Sequence, residues 1–133
     1  MAGRRVRGRV NLLLDTHAFL WWLEGTHLPE EVAARISDPE QPVAVSAASI
    51  WEASVKEALG KLHTPEPLVE VVADDGFRPL AISFEHAARA AELPPHHRDP
   101  FDRMLIAQAQ IEGLTIVTHD AQFARYDVPI LSC

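Results

Sequence analysis

The sequence has almost no cysteine: Cys133, its last residue, is the only one. A single thiol excludes an intrachain disulfide, so the fold needs no oxidising compartment. An exposed thiol with no role is expected there. No apolar run reaches the roughly 18 residues that a membrane span requires. The opening MAGRRVRGRV followed by NLLL has the order of a signal peptide, but its apolar patch is short and is broken by Asp15 and His17. Residues 1–9 are therefore expected to be a flexible basic leader and residues 10–133 one domain, in a cytoplasmic protein with no membrane contact. Glycine-rich phosphate loops and dinucleotide fingerprints are missing, which disfavours nucleotide cofactors. Histidines number seven, yet there is no H-E-x-x-H and no cysteine half of a zinc ligand set, which disfavours zinc catalysis. No internal repeat or linker is visible.

Positive charge is also scarce. Twelve Lys and Arg stand against 19 Asp and Glu, for a formal net charge of −7. A protein held to nucleic acid by charge alone is normally basic. The balance argues against a passive nucleic-acid binder. It allows an enzyme that meets an anionic substrate through a cation, because a bound metal ion inverts the field of an acidic cleft.

What is present is a regular alternation. Short apolar runs at residues 10–14 (VNLLL), 43–46 (VAVS) and 114–117 (LTIV) read as buried strands, with weaker candidates at 77–81 and 129–131. Between them lie helix signals. AFLWWLEG, residues 18–25, is apolar at helical spacing and ends on Gly25. Residues 29–37 start on Pro29. A helix capped by Ser46 or Ser49 runs to Leu59, with Ser49 and Glu52 at capping-box spacing. Further helices are expected at 65–74, at 83–93, and from Asp99-Pro100 to about Glu112, closed by Gly113. LPPHHRDP, residues 93–100, reads as a rigid polar loop. Apolar strands alternating with helices predict an α/β fold: a three-layer α/β/α sandwich around a mainly parallel sheet.

Four dispersed carboxylates carry the chemical signal. Asp15 directly follows the first strand and Asp120 lies three residues past LTIV, where open parallel sheets bind ligands. Glu52 sits one turn into its helix and Asp102 in the first turn of another, so both can reach the same edge. Converging carboxylates repel unless a cation compensates. All-oxygen donors select magnesium or manganese, and such an ion can activate water against a phosphodiester. Each acid also has a plainer reading: Glu52, Asp102 and Asp120 as helix-capping groups, with Asp15 costly between apolar segments unless paired. His17, His96, His97 and His119 fall near the presumed mouth, and His119 is placed to touch a phosphate. Arg98, Arg103 and Lys56 are candidate phosphate contacts or simply solvated. Phe19, Trp21 and Trp22 fit core packing or a dimer face better than base stacking.

Four blocks together resemble the PIN-domain nucleases, in particular the VapC-type toxins of bacterial toxin–antitoxin pairs. They are LLLDTHAFLWWL (12–23) with Asp15, SAASIWEASVKEALGKL (46–62) with Glu52, HRDPFDRMLIAQA (97–109) with Asp102, and IVTHDAQFARY (116–126) with Thr118 and Asp120. The resemblance implies a PIN-like domain over 10–133 and an Mg2+- or Mn2+-dependent endoribonuclease. It implies Asp15, Glu52, Asp102 and Asp120 as catalytic metal-site residues, with Asp99 and Thr118 as auxiliary candidates; Arg103 is a further auxiliary candidate from its place beside Asp102. It also implies an RNA substrate, a cognate antitoxin and a homodimer. The alternatives are an RNA-processing or structure-specific DNA nuclease of the same fold, or a noncatalytic protein-interaction module.

Overall fold

The computed structural model describes residues 10–133. The expected basic leader at residues 1–9 lies outside the described residues. Five strands and six helices alternate: β1 (Leu12–Leu14), α1 (Thr16–Glu24), α2 (Glu30–Ser37), β2 (Val43–Ser46), α3 (Ala47–Ala58), α4 (Leu68–Asp74), β3 (Arg78–Leu80), α5 (Phe84–Glu92), α6 (Pro100–Glu112), β4 (Thr115–Thr118) and β5 (Ile130–Ser132). A 3-10 turn at Ala121–Arg125 joins the last two strands. Every strand pairing is parallel and the order is β3-β2-β1-β4-β5. Among the described residues no helix is long and apolar enough to cross a membrane.

Both faces of the central strands β2, β1 and β4 are buried, which explains why those strands read as continuous apolar runs, while the edge strands β3 and β5 are more exposed. Along β1 the side chains alternate between two cores. Leu12 and Leu14 pack with Phe19, Val32, Ile36 and Val45 on one face. Leu13 packs with Leu105, Ile106, Ile116 and Phe123 on the other. Helices α1, α2 and α4 cover the first face, and α5 and α6 the second, giving the expected three layers.

Several boundaries differ from the sequence expectation, each through a cap. Asp15 caps α1 through Ala18 N–H, so that helix starts at Thr16 rather than at residue 18. Pro29 and Pro67 precede α2 and α4 as N-caps with no side-chain bond. Ser46, extended at the end of β2, caps α3 by accepting from Ala48 N–H. Ser49 is therefore inside the helix and fully buried, and the Ser49–Glu52 capping box does not form. A capping box forms instead at Ser83, with His86 as the reciprocal partner. Cys133 is half-buried against the core rather than exposed, and burial and nearby Asp15 push its thiol up to about 11.

Candidate metal centre

The strand order reverses direction at β1, with β2 and β3 on one side and β4 and β5 on the other. In open parallel sheets the crevice beyond the carboxyl ends of the strands at such a switch point receives ligands. Leu14 pairs in register with Val45 and with Val117, so β1, β2 and β4 end together. The residues that follow them meet at one edge.

Asp15 is the first of these and is nearly fully buried. Its Oδ1 accepts from Ala18 N–H at 2.8 Å and its Oδ2 from the Thr118 hydroxyl at 2.6 Å. Burial nonetheless raises its pKa, with the two hydrogen bonds acting in the opposite direction. Thr118, the last residue of β4, also accepts from Asp120 N–H at 3.0 Å, which links the two aspartates through one hydroxyl. Asp120 caps the 3-10 turn through Gln122 N–H. The capping role expected of it is real, and its other oxygen remains directed at the crevice.

Helices α3 and α6 supply the remaining acids. Glu52 is buried, its Oε1 accepting from Thr16 at 2.7 Å and its Oε2 lying 3.0 Å from Lys56 Nζ. The Thr16 hydroxyl also lies 3.0 Å from that of Ser49. Asp99 caps α6, accepting from Phe101 and Asp102 N–H. Asp102 does not return a bond to the Asp99 backbone. Its Oδ2 lies 3.0 Å from His97 Nε2, so the capping-box reading fails for this residue. Burial first, then the charges of Asp99, Glu52, Asp15 and Asp120, push the Asp102 carboxyl up to about 8. The charges of Asp99, Glu52, Asp15 and Asp120 thus all act on the Asp102 carboxyl.

His97 was one of several loop histidines in the sequence. In the structure its Nε2 bridges Asp102 Oδ2 and Asp120 Oδ2, at 3.0 and 2.9 Å. One ligand atom from each of His97, Asp102 and Asp120 lies within 4.8 Å of the others, a spacing compatible with a single cation. Thr16 is a second residue that sequence reasoning passed over. Its place next to Asp15 was the available signal.

Arg103, a candidate phosphate contact, is committed elsewhere. Its terminal nitrogens donate to the carbonyls of Ala90, Leu93, Pro94 and His97 at 2.8–3.2 Å. It brackets the loop 93–100 against α6. His119 packs edge-on to Trp21, with Nδ1 2.6 Å from the Cys133 carbonyl. Arg98 and His17 are exposed. Phe19 is core, as expected, and Trp22 is anchored by its indole N–H to Asp75 at 2.9 Å.

Comparison with known proteins fits this geometry. The PIN domain family model matches residues 12–129. The chain belongs to the PIN-domain family. Ribonuclease VapC16 of Mycobacterium tuberculosis (strain ATCC 25618 / H37Rv) is 37% identical over 70 residues, which is 48% of this chain and 50% of that protein. The chain thus matches about half the length of that curated relative. Among solved structures, DNA-bound VapBC from Salmonella typhimurium aligns with TM-score 0.69 at 18% identity, covering 92% of this PIN domain and 98% of that chain. VapBC-5 from Mycobacterium tuberculosis aligns with TM-score 0.63 at 22% identity, covering 95% and 100%. These likenesses establish the fold of this PIN domain.

The donor set fits a hard divalent ion. Several carboxylates converge, two of them with raised pKa values. Among the described residues the side chains able to carry positive charge that touch the four site acids are Lys56 on Glu52 and the His97 ring on Asp102 and Asp120. Oxygen-rich sites of this kind suit magnesium or manganese.

Proposed function

We propose that this PIN domain is a Mg2+- or Mn2+-dependent endoribonuclease acting as the toxin of a toxin–antitoxin pair in the cytoplasm. The observation that carries the reading is the convergence of Asp15, Glu52, Asp102 and Asp120 at one sheet edge, with the Asp102 carboxyl pushed up to about 8. Burial first, and then like charge, disfavour ionised carboxylates here, and a cation relieves both. The ribonuclease name of the curated relative supports RNA as substrate. The toxin–antitoxin complexes among the solved structures support a cognate antitoxin, and a homodimer is proposed from the family resemblance alone.

Asp15, Asp102 and Asp120 would hold the ion. Bound there, the ion supplies Lewis acidity toward a phosphodiester and lowers the pKa of nearby water. Glu52 orients the attacking water and takes its proton, and Thr16 fixes that carboxylate through Oε1. Thr118 holds Asp15 and the Asp120 backbone in register. Asp99 starts the helix that presents Asp102. The P–O3′ bond breaks as the water oxygen bonds to phosphorus, leaving a 5′-phosphate and a 3′-oxygen that takes a proton from solvent to become the 3′-hydroxyl.

The test is an RNA cleavage assay with purified protein on defined substrates, transfer RNAs included, in manganese and then in chelator. Cleavage requires the metal, and Asp102→Asn abolishes it with the fold intact. Cleavage that survives chelation, or a fully active Asp102→Asn, refutes the reading.

A further inference from the structure

His97 touches two of the acids assigned to the metal, and its surroundings determine how it does so. Both its backbone and its ring are held. Its backbone N–H donates to the Tyr126 hydroxyl at 2.8 Å, and that hydroxyl donates to the Pro94 carbonyl at 2.7 Å. Its carbonyl accepts from Arg103 at 3.2 Å. Its imidazole meets the fully buried Phe123 edge-on, with centroids 5.7 Å apart at 88°. These contacts hold the imidazole against Asp102 and Asp120.

The tautomer follows from the partner of the second nitrogen. Nδ1 accepts from Asp99 N–H at 3.3 Å. The ring proton therefore sits on Nε2, where it is shared between Asp102 Oδ2 and Asp120 Oδ2. A histidine that ligates metal through Nε2 has the opposite arrangement, its other nitrogen donating to a carboxylate or carbonyl. Here that nitrogen faces a donor. The site provides for a hydrogen-bond donor at Nε2, and among the described residues no acceptor faces Nδ1 to keep Nε2 bare for a metal.

We propose that His97 is a positioning residue, whose Nε2–H bridges Asp102 and Asp120 and sets their separation for a divalent ion while staying outside the ion's own ligand shell. The proposal rests on the metal-dependent reading above. Outer-shell donors of this kind are worth about 10–100-fold in metal affinity.

Manganese affinity is measured by calorimetry and by EPR on the wild type, His97→Ala and His97→Gln, each checked by thermal melt. The glutamine amide can place an N–H near the Nε2 position. Alanine loses about tenfold or more in affinity, and glutamine recovers most of it. Equal affinity in wild type and alanine, or equal loss in both variants, overturns the positioning role while leaving the metal reading intact. A wild type with no saturable manganese binding overturns both. If the variants fail to fold, imidazole 15N–1H NMR of the wild type titrated with magnesium decides. A His97 proton that stays on Nε2 supports the proposal, and one that moves to Nδ1 makes His97 a ligand and overturns it.

Discussion

Asp102→Asn offers a test of the electrostatics that needs no substrate. In the cation-free protein, burial and four neighbouring acids push the Asp102 carboxyl from 3.8 to about 8. Between those values the folded chain carries a proton that the unfolded chain has lost. Stability therefore falls as pH rises from about 4 to 8, with a limiting slope of about 1.4 kcal/mol per pH unit, and levels off above 8. At pH 7 the full shift corresponds to roughly 4 kcal/mol of liability. Neighbouring side chains relax, so about 1–3 kcal/mol is the recoverable part. Asparagine removes the titration and keeps an oxygen that can accept from His97 Nε2–H. In chelator at pH 7 the variant should melt roughly 5–10 °C above the wild type. The gain should vanish near pH 4. Thermal melts across pH 4–9 in matched chelator give both curves. A variant less stable than the wild type at pH 7, or a difference that does not change with pH, refutes the claim that the acids form one strained cluster.

Two further outcomes follow. Manganese binding must expel the proton from Asp102, so apparent affinity should rise about tenfold per pH unit between 6 and 8 and flatten beyond; calorimetry in buffers of different ionisation enthalpy counts the released proton. Arg103→Ala leaves the carbonyls of Ala90, Leu93, Pro94 and His97 without their donor, and should cost about 2–4 kcal/mol by denaturant titration. Arg103→Lys should not restore the loss, since one ammonium cannot span four acceptors.

The fold was largely legible because a parallel sheet covered on both faces leaves a direct trace. LLL, VAV and IV are apolar without alternation, since neighbouring side chains on β1 enter two different cores. Boundaries were less legible. Ser46 and Ser49 have the same side chain, and both precede residues that could complete a cap. What chooses Ser46 is its extended backbone at the end of β2, with φ −80° and ψ 147°, which leaves its hydroxyl free to accept from Ala48 while donating to buried Gln108. Gln108 is far away in sequence, so nothing local distinguishes the two serines.

The candidate site divides in the same way. Asp15 and Asp120 were legible because chain position alone puts them past strand ends, and strand ends of a parallel sheet share one edge. Asp102 was legible as an acid in a first turn, but its partner was not. His97 reaches it only because Arg103, Tyr126 and Phe123, from two other elements, fix the course of the loop 93–100. Nor does residue type reveal the role. Histidine is a common metal ligand and a common donor to carboxylates, and both uses place Nε2 about 3 Å or less from the same acids. The choice rests on one backbone N–H, that of Asp99, which faces Nδ1. Asp99 thus acts twice: its carboxylate starts α6 under Asp102, and its amide assigns the proton of His97.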